Sequence, residues 1–303
     1  VFPADAPTIV GDWGSSRLRL WLVQGGGVRA QTEARGLLAA ADAPSEALRS
    51  AIAALPDAGT AGRIVLCGMA GARGGLAEAP YLPCPARFAD WLDLTTKLAF
   101  DGMACALLPG LSCRSGTGQP DVMRGEETQI FGALHLRPDL ALGAQTFLLP
   151  GTHSKWTRVE HGRITGFVTC CTGELYARLI GSSLVDPDAA CGSEAFADGY
   201  EVATSRVLAG ADLLPSLFEA RAARLLDGRE EGWSAGFLSG LLIGTEIASM
   251  VPHAIATRPL MLIGEGTMTA IYSRTLDRFG IEHVIGDGAR CVLKGLELAC
   301  ADA

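Results

Sequence analysis

One pattern occurs twice in this chain and restricts its fold more than any other feature. The stretch TIVGDWGSSRLRLWLV, Thr8 to Val23, is an apolar run that ends on Asp12, turns through Trp13-Gly14-Ser15-Ser16 and resumes as an alternation of Arg and Leu. It predicts a buried strand, a tight turn and a half-exposed strand of period two. Gly25-Gly26-Gly27 then leads into a third strand over Val28 to Glu33. Later, Gln145 to Pro150 (QTFLLP) is a second apolar strand, followed by a Gly151-Thr152-His153 turn, a strand from Ser154 to Val159, a His161-Gly162 turn and a strand from Arg163 to Thr169. Setting DWGSSRLRLWLVQGGGVRA over PGTHSKWTRVEHGRITG places Ser16-Arg17 on Ser154-Lys155. A duplicated three-strand meander predicts two related domains.

The rest of the chain alternates helices and strands. Pro44-Ser45-Glu46 opens a helix to about Leu55 with Ser45 as its N-cap, and Arg63 to Cys67 is a buried strand ending at Gly68. Strands at Pro259–Ile263 and Glu282–Ile285 alternate with helices at Met268–Phe279 and Ala289–Ala299, so the class is α/β. Trp233 to Met250 is a long helix whose Gly236, Gly240 and Gly244 form a smooth stripe suited to helix–helix contact. The Gly/Pro/Ser-rich stretch Ser112 to Pro120 is the expected junction, dividing the chain into domains 1–118 and 119–303. At 303 residues and 49% hydrophobic composition, each can bury a core of its own.

A net charge of −8 without a basic stretch argues against nucleic acid or an anionic membrane surface as partner, and for small molecules. The nine Cys show neither Cys-x-x-Cys nor zinc-type Cys/His spacing, and their odd number cannot pair fully, which points to a reduced, cytoplasmic setting. Cys170-Cys171, in an apolar run, are expected in the core. The first residues lack a secretory pattern, and no uncharged run approaches the ~20 residues that span a bilayer. These features leave a homodimer open.

Four stretches could carry chemistry. A carboxylate closing a buried strand needs a cation, and Asp12 would suit a hydrated Mg²⁺, with Ser15, Ser16 and the turn amides as an anion nest; a plain turn is the alternative. Pro150 to Lys155 offers hydroxyls and amides without a carboxylate, fitting phosphate oxygens, though it lacks the Walker A spacing and its following helix. In MRGEETQIFG, Glu126 and Glu127 open a helix, where the dipole alone favours acids and where a general base could equally sit. Ile263-Gly264-Glu265-Gly266-Thr267 is a strand-to-helix glycine turn that admits a planar base or ribose but lacks the third Gly of a dinucleotide loop. A carboxylate-bearing substrate needs a forked cation, for which Arg17, Arg73 and Arg124 are the candidates.

In order along nearly the whole chain, DWGSSRLRLWL, GMAGAR, PDVMRGEETQIFGA, LPGTHSKW, TGELYA and LSGLLIG resemble the 2-dehydro-3-deoxygalactonokinase family, in the sugar-kinase branch of the actin-like ATPase (ribonuclease H-like) superfamily. The resemblance implies two ribonuclease H-like domains of βββαβα type flanking a cleft. It also implies ATP-dependent phosphorylation of 2-dehydro-3-deoxy-D-galactonate at its terminal hydroxyl, giving the 6-phosphate, with Mg²⁺. By the same resemblance Asp12 is the carboxylate that orients Mg²⁺ through water, and Gly14, Ser15, Ser16 and Arg17 form the first phosphate loop. Gly151, Thr152, His153 and Ser154 form the second, and Gly264, Gly266 and Thr267 the adenosine turn. Glycerol and xylulose kinases place an Asp before the corresponding helix as catalytic base; here Glu126 and Glu127 stand there with a one-residue offset, Glu126 being the first choice. Arg73 and Arg124 are the expected substrate cations. The competing readings are a kinase of this fold for another aldonate or a neutral sugar, and a non-catalytic sugar-binding regulator; regulators usually carry a helix-turn-helix, and none is seen before Thr8.

Overall fold

The structure, a computed structural model, describes residues 6–40, 42–115, 117–188, 192–254 and 259–302. It opens with the strands β1 (Thr8–Trp13), β2 (Arg17–Gln24) and β3 (Gly27–Arg35), followed by α1 (Leu37–Ala40), α2 (Pro44–Ala53) and β4 (Arg63–Gly68). Next come β5 (Tyr81–Pro83), α3 (Phe88–Leu92), β6 (Thr96–Phe100), β7 (Met103–Leu107), β8 (Gly110–Arg114), β9 (Pro120–Met123) and α4 (Glu126–Leu136). The second meander is β10 (Ala144–Leu149), β11 (Ser154–Glu160) and β12 (Arg163–Cys170). Then follow α5 (Thr172–Leu179), α6 (Glu194–Leu208), α7 (Leu213–Leu217), α8 (Glu219–Asp227) and α9 (Glu231–Ala254), and β13 (Leu260–Gly264), α10 (Gly266–Arg278), β14 (His283–Asp287) and α11 (Gly288–Asp302) close the chain.

Two compact units result: 1–144 with 157–168 and 286–303, and 145–156 with 169–285. The first unit holds a six-stranded sheet ordered β3-β2-β1-β4-β7-β6, in which β1 pairs antiparallel with β2 and parallel with β4. Its core gathers Ile9, Trp13, Leu18, Leu20, Leu48, Ile64 and Leu66. The other sheet is ordered β12-β11-β10-β13-β14, with β10 parallel to β13. Each sheet therefore runs from the third strand of a meander back to its first, and then on to a later strand that lies parallel to that first one. The class is α/β with mixed sheets.

Several local expectations are corrected. Strand β2 is buried at every position from Leu18 to Val23, so both of its faces are covered and it is not half-exposed. Helix α2 starts at Pro44, whose fixed φ suits a first helical position, so Ala43 occupies the N-cap and Ser45 lies inside the helix. Ser112 to Pro120 is no junction: it belongs to the β8–β9 hairpin of the first unit, closed by Ser115 and Gln119, with residue 116 outside the described residues. Cys171 is exposed, against expectation, whereas Cys170 is half-buried and packs against the core cluster around Leu148 and Trp156. The eight described cysteines are free thiols, and Cys191 lies outside the described residues.

Glycine decides two helix contacts. On α9, a side chain at Gly236 would strike the Phe196 carbonyl of α6, and one at Gly240 would come within 2.5 Å of the Tyr200 carbonyl oxygen, so the predicted stripe is a helix–helix seam. Helix α9 is long and apolar enough to cross a membrane, yet most of it is buried inside the second unit. In the first unit, Gly132 of α4 meets the Cys291 carbonyl of α11, and Gly295 of α11 meets the Thr128 carbonyl of α4; this seam fixes the start of α4. Gly236→Ala should cost about 2–3 kcal/mol by overpacking, measured by urea unfolding. A loss below about 0.5 kcal/mol would show that the seam yields freely.

Candidate active site

The residues singled out from the sequence fall into two groups, one on each unit. In the first unit, Asp12 lies next to last in β1, directly opposite Arg19 of β2, whose Nη2 donates to Asp12 Oδ2 at 2.7 Å. The cation that a buried strand-end carboxylate requires is thus supplied within the sheet, by a residue the sequence reading passed over. Cys67 Sγ lies 3.7 Å from Asp12 Oδ1. Burial first, then the carboxylates of Asp12 and Glu127, push the Cys67 thiol well above its ordinary range, which places both acids around the end of β4. The Gly14–Arg17 turn is held by its own Gly14 N–H to Arg17 carbonyl bond of 2.8 Å and by Leu37 and Leu38 N–H groups on the Gly14 and Ser15 carbonyls. Ser16 and Arg17 are exposed, and Arg17 sits 3.8 Å from Glu33.

The start of α4 adjoins this corner: a side chain at Gly125 would lie 3.3 Å from Gly68 Cα, and one at Gly68 would lie 3.6 Å from Asp12 Oδ1. Gly125 has φ +113°, a conformation that favours glycine. The two acids that follow it differ in environment. Glu127 is fully buried, and both of its oxygens accept the Gly125 N–H at 2.8 Å, so it caps its own helix. Burial, and next the Glu126 carboxylate, push Glu127 up to about 8 against the pull of backbone N–H groups and Arg124. Glu126 is half-buried and accepts the Arg124 N–H at 3.1 Å.

Arg124 stacks on Tyr81, 4.1 Å from guanidinium to ring centre, and its Nη2 donates to the Ala79 carbonyl at 2.8 Å. Its Nη1 is buried with no hydrogen-bond partner among the described residues, a donor suited to an incoming anion. Gly71 makes room for it, since a Cβ there would sit 3.0 Å from Nη1. Arg73, just beyond, is exposed.

The raised pKa of Glu127 gives a signed prediction. From about 4.5 to about 8 the native acid holds a proton that the unfolded chain has lost, so stability falls as pH rises through that window. Glu127→Gln removes this term. Between about pH 5 and about pH 9 the variant should gain on the parent by a few kcal/mol, on the order of what such a shift carries in urea titrations. A pH-independent difference would mean that Glu127 is ionised throughout.

In the second unit, Gly151, Thr152 and His153 form an exposed loop between β10 and β11. No hydrogen bond takes their amides among the described residues, while the Thr152 carbonyl accepts the Glu174 N–H at 2.8 Å. His153 Nε2 pairs with Glu174 at 2.7 Å, and that bond, then the His153 charge, lowers the Glu174 carboxyl. Ser154 is fully buried at the start of β11, and its hydroxyl, expected toward phosphate oxygens, donates to Glu246 at 2.8 Å. The glycine turn adjoins the loop, because a side chain at Gly264 would lie 3.7 Å from Pro150 Cδ. Gly266 and Thr267 are exposed at the start of α10, and the buried Thr269 Oγ1 beside Gly264 has no partner among the described residues. An open amide loop beside a glycine turn with an orphaned hydroxyl fits a nucleotide.

No group of three or more His, Cys, Asp or Glu side chains is arranged to hold a metal ion among the described residues. Mg²⁺ keeps most of its waters and commonly needs one or two carboxylates plus phosphate oxygens, so a single Asp12 is a donor set compatible with it.

The family model for 2-keto-3-deoxy-galactonokinase matches residues 12–299. The chain belongs to that family. It is 36% identical over 296 residues to a protein of Rhizobium meliloti named a probable 2-dehydro-3-deoxygalactonokinase, covering 95% of this chain and 94% of that one. It is 35% identical to the Escherichia coli 2-dehydro-3-deoxygalactonokinase, covering 92% of each. A crystal structure of a Sinorhizobium meliloti protein, titled as a candidate 2-dehydro-3-deoxygalactonokinase, superposes with a TM-score of 0.84 at 34% identity over 97% of this chain and 96% of that one. In this family member the sequence reading missed Arg19 and Glu246. Glu246 carries a signal in hindsight, as the only charged residue from Gly232 to Pro252 of an apolar helix.

Proposed function

We propose that this protein transfers the γ-phosphoryl group of ATP to the terminal hydroxyl of 2-dehydro-3-deoxy-D-galactonate, giving the 6-phosphate. The observation that carries this reading is the family match over residues 12–299. The two sheets share one strand order, which supports a pair of ribonuclease H-like cores. Asp12 would hold Mg²⁺ through water; when bound, the ion neutralises charge on the phosphate oxygens. Gly14 to Arg17 and the amides of Gly151 to Ser154 serve the phosphates, and Gly264, Gly266 and Thr267 serve the adenosine. Glu126 takes the proton of the attacking hydroxyl, because Glu127 has no exposed surface with which to reach it. The unpartnered Arg124 Nη1 receives the substrate carboxylate, with the exposed Arg73 as the second candidate cation. Positioning and charge stabilisation supply most of the rate in phosphoryl transfer, so the loops and the metal contribute more than the base.

The test is ADP release measured across a panel of sugar acids and neutral sugars. The highest kcat/KM is expected for 2-dehydro-3-deoxygalactonate, with the gluconate epimer lower. A clear preference for another aldonate or a neutral sugar would reassign the substrate, and no ATP turnover with any of them would overturn the kinase reading.

A further inference from the structure

The second unit buries a carboxylate that the proposed mechanism does not use. Glu246, in the middle of α9, is 4% exposed and lies among Trp156, Ile243, Ile247 and Tyr272. Its Oε2 accepts from Ser154 Oγ at 2.8 Å, from Tyr272 OH at 2.7 Å and from Thr172 Oγ1, while its Oε1 accepts from Trp156 Nε1 at 2.8 Å. All four donors are neutral. A buried carboxylate is costly unless its acceptor sites are filled, and three donors on one oxygen suit a charged acceptor better than an amide.

The donors sit at telling places. Ser154 ends the Gly151–Ser154 loop, and Thr172 is the first residue of α5. The next residue, Gly173, packs so closely on the loop that a side chain there would strike the Gly151 carbonyl. Tyr272 belongs to α10, the helix that begins at the Gly264–Gly266 turn. One carboxylate therefore ties together the loop, the helix that braces it and the helix that carries the glycine turn.

We propose that Glu246 is a positioning residue for the nucleotide: by holding Ser154, Thr172 and Tyr272 it fixes the Gly151–Ser154 loop in the conformation that receives phosphate oxygens. This rests on the reading of that loop as a phosphate loop. Glu246 itself touches no reacting group. Its loss should weaken nucleotide binding and leave sugar-acid recognition alone. Glu246→Gln keeps the shape, but whichever way the amide is turned, its NH₂ opposes at least one donor.

The test uses the full-length protein with ADP as probe, combining calorimetry, steady-state kinetics and hydrogen exchange. In the parent protein, ADP should protect the amides of 151–154; absence of that protection, with ADP bound, overturns the phosphate-loop reading on which the proposal rests. In Glu246→Gln the Kd for ADP and the KM for ATP should both rise roughly 10-fold or more, with the KM for the sugar acid within about 2-fold of the parent. Thr172→Val, which removes one spoke without changing shape, should raise both nucleotide constants by about 3-fold or more, and Thr172→Ser should restore them. It also carries the test should Glu246→Gln fail to fold. A purely structural role predicts lower melting temperatures with unchanged nucleotide constants per folded molecule. That result, alongside normal protection of 151–154 in the parent, overturns the inference while sparing the loop assignment.

Discussion

Glu126→Gln is expected to slow phosphoryl transfer by roughly 10²- to 10⁴-fold while ATP and the sugar acid still bind. The amide keeps the size of the side chain and can still accept the Arg124 N–H that the carboxylate accepts at 3.1 Å, so the opening of α4 is preserved. What it cannot do is take a proton. Glu127→Gln is the informative partner: that side chain is fully buried and both its oxygens face the Gly125 N–H, so its change should appear in the pH dependence of stability and only weakly in kcat. If both acids served only the helix dipole, both variants would lose a few tenths of a kcal/mol and keep turnover. A large rate loss in Glu127→Gln alone would move the base by one position. Unchanged turnover in both would leave the mechanism without a carboxylate base, resting on positioning and charge alone.

The contrast between these two neighbours shows what the sequence makes legible. Adjacent acids at a helix start are visible from the letters. Which of them is buried depends on the β4 end and on α11, whose Gly295 presses on Thr128 from far along the chain. The meanders were readable because alternation and glycine turns are local. The burial of both faces of β2 was not, because an alternation of Arg and Leu carries no trace of what packs on the face that bears Arg19 and Trp21. Ser112 to Pro120 has the composition of a linker, yet Ser115 and Gln119 close it as a hairpin. The α9 glycine stripe was legible because four-residue spacing of the smallest side chain leaves close packing as its use. Ser154 was misjudged for the opposite reason: its place beside a turn is local, whereas the Glu246 that claims its hydroxyl lies 92 residues away.

Asp12→Asn should lower kcat by roughly 10²-fold or more with a much smaller change in the KM of the sugar acid, and should raise the Mg²⁺ concentration needed for half-maximal rate. The ion pair with Arg19 complicates this substitution, because side-chain exposures of 8% for Arg19 and 18% for Asp12 make it a largely buried pair. Removing the charge leaves the guanidinium with a neutral partner in the sheet, and losing one member of such a pair costs on the order of 3–5 kcal/mol when burial is complete, less here. Activity must therefore be expressed per folded molecule, with Arg19→Gln measured alongside. If Asp12 serves only to neutralise Arg19, the two variants should lose similar stability, and each folded molecule should turn over as the parent does. If Asp12 orients the metal, Arg19→Gln should keep its Mg²⁺ dependence near that of the parent while Asp12→Asn loses both rate and Mg²⁺ response. Near-normal turnover of folded Asp12→Asn at saturating Mg²⁺ would remove Asp12 from the chemistry and leave the opening turn to be explained by the Asp12–Arg19 pair alone.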